Sequence, residues 1–373
     1  MGKNIKRGLL KLIMGFSLIA GVGFGYVTLH PEFGGSFKGK RLQRMKRSEH
    51  YHEGHFENID PPRAYDIGVN IDDVMGDQIR KPPALFPAIK PDFTNEPNRN
   101  LAAYWLGHAT VLVEIEGVRV LTDPMLSEYA FPLQIVAPQR YNPPPIAMEE
   151  LPKIDLAIIS HDHYDHLDMK TIQHLAQEGT QFFVGLGVGA HLERWGIPSK
   201  QIHELDWWKY GDYKGLRITS TPARHYSGRR SMNNSTLWTS WVIKGEEHSF
   251  FHSGDSGYSS HFKEIGERLG PIDLSLIKIG DYGKDLGWQD IHMLPEDSVQ
   301  AHKDIGGKIM LPIHWGTFAL SNHDWDEPIK RTIQAAEQKN VRLVTPKLGE
   351  KFVLNEIFPS EYWWENLAPK ASK

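Results

Sequence analysis

From about residue 100 onward, apolar residues alternate between short β-prone runs and longer amphipathic runs. The pattern predicts two strands at residues 104–115 and 118–122, separated by Glu116-Gly117, which is typical of a hairpin. Later apolar runs predict strands at 154–160, 181–184, 216–221, 237–243, 248–252, 274–279, 308–313 and 341–345. Helical spacing predicts helices at 169–178, 189–195, 295–303 and 328–338. Strands interleaved with helices predict a layered α/β domain over residues 101–373.

The first hundred residues have a different pattern. Residues 12–29 carry no charged side chain and follow a basic stretch at residues 3–11, which is typical of a membrane anchor or a secretory signal. We expect residues 1–30 to hold the protein on a membrane; the alternative is export to the periplasm after signal cleavage. The side of the membrane stays open, because basic residues flank both ends of the run. Residues 31–100 are predicted as a linker or arm that is basic at 38–47 and then proline-rich.

Composition directs attention to histidine. The chain has 373 residues, no cysteine, 19 histidines and a formal charge of −4 with neutral histidines. Without cysteine there is no disulfide, thiolate zinc site, iron–sulfur cluster or cysteine nucleophile, so any metal must be held by imidazole and carboxylate. The slight acidic excess, with no basic stripe beyond residues 38–47, argues against a nucleic acid as substrate.

The segment HDHYDH at residues 161–166 carries the strongest chemical signal. It directly follows a predicted strand, and α/β folds bind their ligands beyond the carboxyl ends of strands. His161 and His163 alternate along an extended segment and point the same way, whereas Asp165 and His166 come after the turn and can face a second point. We therefore predict two metals.

Three later strand ends supply the remaining ligands. The strands predicted at 216–221, 248–252 and 308–313 lead into one candidate each. We predict that one metal is held by His161, His163 and His225, the other by Asp165, His166 and His314, with Asp255 bridging the two. Nitrogen and oxygen donors favour zinc, with iron or manganese as alternatives. A bridging carboxylate holds two cations about 3.5–4 Å apart.

The motifs resemble those of the metallo-β-lactamase superfamily and, within it, the N-acylphosphatidylethanolamine-hydrolysing phospholipase D family. The matching stretches include WLGHAT at 105–110, LTDP at 121–124, ELDWW at 204–208, TPARH at 221–225, GDSGY at 254–258, HMLPE at 292–296 and IHWGTFAL at 313–320. They extend over about residues 100–330. The resemblance implies a four-layer αββα sandwich with a dinuclear metal centre between its sheets, preceded here by the N-terminal anchor or signal helix.

The resemblance also implies roles for individual residues. All seven ligand positions of the family are filled by the residues predicted above. Asp123 matches an aspartate that supports the metal site without binding metal. His292 matches a histidine that lines the active site; its alternative is a residue at the entry to the helix that begins at Pro295. Asp165, Asp255 and His292 are the candidates for direct roles in catalysis.

The implied reaction is hydrolysis of an N-acylphosphatidylethanolamine-like phospholipid at a membrane surface. A hydroxide that bridges two zinc ions attacks phosphorus, and the products are phosphatidate and N-acylethanolamine. The chain departs from the animal enzymes in its N-terminal apolar run and in residues 281–290, which leaves the substrate open. The alternatives are a lactonase or β-lactamase-like hydrolase, a metal-dependent nuclease and a non-catalytic binding module, the last disfavoured by the complete ligand set. Formation of a homodimer also stays open.

Overall fold

The structure is a computed structural model that describes residues 25–64, 79–283 and 286–367. Most of the predicted membrane segment, residues 1–24, lies outside these ranges. Among the described residues, no helix has the length and apolar character needed to cross a membrane. The N-terminal anchor or signal therefore stays a prediction.

Part of the predicted linker is folded onto the domain. It forms a helix, Gly39–Met45 (α1), and a two-stranded hairpin, Tyr51–His52 (β1) and His55–Phe56 (β2). Met45 and Phe56 belong to a buried cluster with Leu186, Trp207 and Trp238 of the domain. This apolar contact attaches the segment to the domain.

A seven-stranded mixed sheet forms one half of the domain. In spatial order, its strands are Lys351–Val353 (β15), Leu101–Gly107 (β3), Thr110–Ile115 (β4), Val118–Thr122 (β5), Leu156–Ile159 (β6), Gln181–Gly185 (β7) and Ile202–Leu205 (β8). Neighbours from β15 to β5 are antiparallel, and neighbours from β5 to β8 are parallel.

A six-stranded sheet forms the other half. In spatial order, its strands are Gly307–Ile313 (β14), Ile272–Lys278 (β13), Ser249–His252 (β12), Ser240–Lys244 (β11), Leu216–Thr221 (β10) and Tyr210–Tyr213 (β9). The strands β12, β13 and β14 are parallel, so that their carboxyl ends lie at one edge.

Helices flank both sheets. They are Met169–Gln177 (α2), Gly189–Arg194 (α3), His261–Leu269 (α4), Leu286–Gln289 (α5), Pro295–Asp304 (α6) and Glu327–Lys339 (α7). Ile172 of α2 and Leu192 of α3 are buried with residues of the seven-stranded sheet. Phe262 of α4 and Val299 of α6 are buried in the cluster that joins the two sheets. The predicted αββα arrangement is confirmed.

The structure differs from the predicted pattern in several details, among them the following. The apolar run at 104–115 is two strands, because Gly107 and His108 turn the chain with φ angles of 107° and 53°. A turn inside an uninterrupted apolar run gives no hydrophobic signal. The strand predicted at 341–345 is wrong, since only an isolated bridge forms there, at Leu343. The missed strands β8 and β9 are half-buried or exposed, so they lack the apolar alternation of a core strand.

Candidate metal centre

The seven predicted ligands lie in the loops that follow β6, β10, β12 and β14. Five of them are buried, while His163 and Asp165 are half-buried. The loop after β12 needs a glycine before the aspartate: Gly254 has φ +54°, and a Cβ there would lie 2.6 Å from Cβ of Ser160. The loop after β14 places His314 at φ +62°. The strand ends therefore bring all predicted ligands to one edge of the sandwich.

The first group of donors is His161, His163 and His225. Nε2 of His161 lies 2.8 Å from Nδ1 of His163, and Nε2 of His225 lies 3.4 Å from the same nitrogen. The far ring nitrogens are oriented by Ser160 Oγ at 2.9 Å from His161 and by the Ile291 carbonyl at 3.1 Å from His225. Burial lowers the pKa of His161 and of His225 well below the ordinary value, which favours the neutral form that binds metal.

The second group contains Asp165, His166 and His314, together with His108. The Nε2 atoms of His166 and His314 are 3.1 Å apart. Asp165 Oδ2 lies 3.3 Å from His166 Nε2 and accepts a hydrogen bond from His108 Nε2 at 2.8 Å. Burial would raise the pKa of Asp165, but His166 and these hydrogen bonds hold it well below its ordinary value. His108 was not among the predicted ligands, although a histidine directly after a strand, within a matching stretch, was a signal for it.

Asp255 lies between the two groups. Its Oδ2 is 3.1 Å from His314 Nε2, 3.4 Å from His166 Nε2 and 4.0 Å from His225 Nε2. Burial would raise the pKa of this carboxyl, but the charges of His314, His166 and Lys278 hold it well below its ordinary value. An ionised carboxylate thus occupies the position predicted for the bridging ligand.

Asp123 lies behind the second group. Its Oδ2 lies 2.7 Å from His166 Nδ1, and both of its oxygens accept hydrogen bonds from Ser160, from the backbone N–H and from the hydroxyl, at 2.7 Å. The side chain is fully buried. Asp123 therefore orients His166 from behind, which matches the supporting position that the resemblance implies.

His292 lies beside Asp255 together with two charged residues that were not predicted. Its Nδ1 is 3.9 Å from Asp255 Oδ2, 3.6 Å from Asp281 Oδ2 and 2.5 Å from Lys278 Nζ. Lys278 is fully buried, and burial raises the pKa of Asp281 to about 7. A lysine at the carboxyl end of an apolar strand was the available signal for Lys278. His292 precedes α6, which agrees with the alternative role at the entry to this helix. Its ring nevertheless faces the site.

The donor set fits divalent cations. In the described part of the chain, His163 Nε2 and Asp255 Oδ1 are buried and have no hydrogen-bond partner. Leaving such an atom unsatisfied costs about 1–3 kcal/mol, so a ligand is expected to satisfy it. Ring nitrogens that face one another at 2.8 and 3.1 Å point their lone pairs to common positions. The cluster is therefore able to bind metal.

A cleft opens beside the second group. It is bordered by the polar side chains of His108, Asp281 and His314 and by the apolar side chains of Phe318 and Leu320. Polar and apolar side chains therefore meet on this side of the site.

Comparison with known proteins agrees with this geometry. Residues 118–315 match the family model described as the beta-lactamase superfamily domain. An uncharacterized protein of Mycobacterium tuberculosis is 40% identical over 329 residues, which cover 86% of this chain and 88% of that protein. N-acyl-phosphatidylethanolamine-hydrolyzing phospholipase D 1 of Caenorhabditis elegans is 37% identical over 276 residues, 69% of this chain and 77% of the relative.

A solved structure supports the fold. Igni18, described as a novel metallo hydrolase from Ignicoccus hospitalis, aligns with a TM-score of 0.51 and 22% identity over 68% of this chain and 97% of its own. Together with the matches in sequence, this likeness identifies the fold and the class of enzyme. The chain belongs to the metallo-β-lactamase superfamily of metal-dependent hydrolases and, within it, to the family that contains the N-acylphosphatidylethanolamine-hydrolysing phospholipases D.

Proposed function

We propose that the protein is a phospholipase D-type phosphodiesterase that hydrolyses N-acylphosphatidylethanolamine-like phospholipids to phosphatidate and N-acylethanolamine. The observation that carries the proposal is the position of Asp255, whose Oδ2 lies 3.1 Å from His314 and 4.0 Å from His225. Two cations, proposed as zinc, would share this carboxylate. The ligands of the two metals are proposed as His161, His163 and His225, and as Asp165, His166 and His314.

When bound, two divalent cations would supply the Lewis acidity that polarises a phosphoryl oxygen and lowers the pKa of a water molecule. The chain's own residues hold the donors in place. Asp123 orients His166, Ser160 orients His161, and His108 holds one oxygen of Asp165 at 2.8 Å. Donors that are already oriented need no rearrangement when charge develops on the phosphoryl group.

Asp165 is the carboxylate that we assign to proton handling. Its side chain is 15% exposed, compared with 3% for Asp255, so it is the carboxylate that solvent and substrate reach. We assign His292 to the wall of the site, where its Nδ1 lies 3.9 Å from Asp255 Oδ2. Asp255 would contribute by holding the cations, which would supply the Lewis acidity.

The substrate class follows from the family and from the N-terminal sequence. The relative from Caenorhabditis elegans is named for hydrolysis of N-acyl-phosphatidylethanolamine. The uncharged run at residues 12–29 would bring the chain to a membrane, where a two-tailed lipid is present. The formal charge of −4 disfavours nucleic acid as a substrate.

The test is to purify the full chain, measure metal per chain by mass spectrometry, and follow headgroup release from N-acylated and plain phosphatidylethanolamine. We expect about two metals per chain, with N-acylethanolamine and phosphatidate as products. One metal or none at full loading would overturn the dinuclear assignment. Hydrolysis of a lactone or of DNA without release from either phospholipid would favour the corresponding alternative reaction. Metal binding without turnover of any of these substrates would favour a binding module.

A further inference from the structure

The loop at residues 131–136, here called the apolar loop, exposes its aliphatic side chains. Leu133, Ile135 and Val136 are 45%, 87% and 66% exposed, and none of the residues in the single turn Gln134–Val136 is buried. The sequence has no charged residue between Phe131 and Gln139. A group of exposed apolar side chains without charges marks an interaction surface.

The apolar loop lies beside Tyr164, in the segment that carries the predicted ligands His163 and Asp165. The ring of Phe131 packs 4.9 Å from the ring of Tyr164, a half-buried residue between two predicted metal ligands. The Tyr164 hydroxyl donates at 2.7 Å to the carbonyl of Arg229, in a segment that leads to Met232, which is 60% exposed. Phe131, Pro132 and Gln134 of the apolar loop line a cleft of about 280 Å³ together with Tyr164.

The N-terminal apolar run reaches the domain at the same place. The Tyr26 hydroxyl donates to the Pro132 carbonyl at 3.4 Å, and the exposed Arg194 donates to the Leu29 carbonyl at 2.9 Å. Leu29 is 78% exposed and is the last residue of the uncharged run that begins at residue 12. Tyr26 and Leu29, at the end of the uncharged run, therefore lie on the same face of the domain as the apolar loop, with the guanidinium of Arg194 at the border. Apolar side chains bordered by basic ones are the composition that suits a lipid bilayer.

We propose that the apolar loop, together with Leu29 and Met232, inserts into the surface of a lipid bilayer and holds the segment around Tyr164 against the lipid headgroups. The proposal rests on the proposed function, because a phospholipid substrate is reached at such a surface. It goes further in naming the residues that enter the bilayer. A second copy of the chain and a soluble protein are the other occupants, and the experiments below separate them from a bilayer.

The first experiment uses the absence of cysteine from the chain. Ile135→Cys in the full chain creates a single attachment site for an environment-sensitive fluorophore, read with vesicles of phosphatidylcholine and phosphatidylglycerol. The control is Ile357→Cys, since Ile357 is 45% exposed. Ile357 pairs with Val353, which lies beside the start of β3, at the end of this strand away from the site. We expect emission at position 135 to rise at least threefold and to be quenched by spin-labelled lipid, with neither change at 357. A label at 135 that aqueous iodide quenches as fully as the label at 357 would overturn the proposal.

The second experiment measures turnover. For Ile135→Ser/Val136→Ser, we expect hydrolysis of phospholipid in vesicles to fall at least tenfold, while hydrolysis of a soluble nitrophenyl phosphodiester changes less than twofold. Ile357→Ser is the matched control and should alter neither. Equal loss on both substrates would contradict the proposal. Unchanged vesicle turnover with a shift in oligomeric state would replace the bilayer with a second copy of the chain. A wild-type protein that cleaves the soluble diester but no phospholipid would sink the proposed function, while the fluorescence result would still decide the surface.

Discussion

The metal centre and the apolar loop lie next to each other but differ in how far their side chains are buried. In the metal centre, most donors are buried, and second residues orient them, as Asp123 orients His166 at 2.7 Å. In the apolar loop, Ile135 is 87% exposed and its neighbours in the turn are unburied. The difference indicates that the chemistry and the access of the substrate are carried by separate residues. Changes in the first region should affect every substrate, and changes in the second only a substrate held in a membrane.

Metal removal should have the largest effect, because turnover of every substrate depends on the metal centre. We expect a chelator to abolish turnover of both vesicle phospholipid and soluble diester, and added zinc, manganese or iron to restore it. A cation at 1,000 times its Kd stabilises the fold by about 4 kcal/mol, so the melting temperature should fall by about 5–10 °C on removal. Calorimetry and turnover assays measure both effects. Full turnover in a metal-free sample would contradict the account.

Asp255→Asn should have the next largest effect, because the carboxylate that we propose as the bridge between the metals loses its charge. Turnover of both substrates should fall by roughly 10³-fold or more, and metal content should fall below two per chain. Asp273→Asn is the control: Asp273 is also largely buried, but it accepts from the Ser249 backbone N–H at 2.8 Å, at the far end of β13 from the site. Asp273→Asn should keep the metal content. Two metals and full turnover in Asp255→Asn would remove the bridging role.

Asp123→Asn tests whether Asp123 supports metal binding by orienting His166. Loss of a residue that orients a metal ligand typically lowers metal affinity by about 10- to 100-fold, and we expect this range in a competition assay with a chromophoric chelator. Asp168→Asn is the comparison, because Asp168 accepts from Lys170 N and Thr171 N at the start of α2. It should lower stability by about 1 kcal/mol or less without changing metal affinity. Equal metal affinities in the two variants would show that Asp123 does not support metal binding.

Tyr164→Phe should have the smallest effect and marks the boundary between the two regions. It removes the hydrogen bond to the Arg229 carbonyl and keeps the ring packed on Phe131. A lost hydrogen bond of about 1 kcal/mol corresponds to about a fivefold decrease, which we expect for vesicle turnover alone. A decrease of the same size on the soluble diester would place Tyr164 in the chemistry instead.

The same division separates what the sequence could predict from what it could not. His161, Asp255 and the other predicted ligands follow clear apolar strands, so the ends of those strands predict where the donors meet. His108 was missed because its turn interrupts no apolar pattern. The exposure of Ile135 was also hidden, since burial depends on which elements pack together and not on the local run of residues. Metal ligands that belong to a local sequence motif can be predicted from the sequence. A surface formed by residues 29, 135 and 232, which are far apart in the sequence, cannot.

In the proposed reaction, water attacks the phosphorus of an N-acylated phospholipid. The most direct measurement is hydrolysis in ¹⁸O-enriched water, followed by mass spectrometry of both products. We expect one ¹⁸O atom in phosphatidate and none in N-acylethanolamine, because the bond between phosphorus and the ethanolamine oxygen breaks. Label in the hydroxyl of N-acylethanolamine, or in a released fatty acid, would mean attack at carbon and would contradict the account.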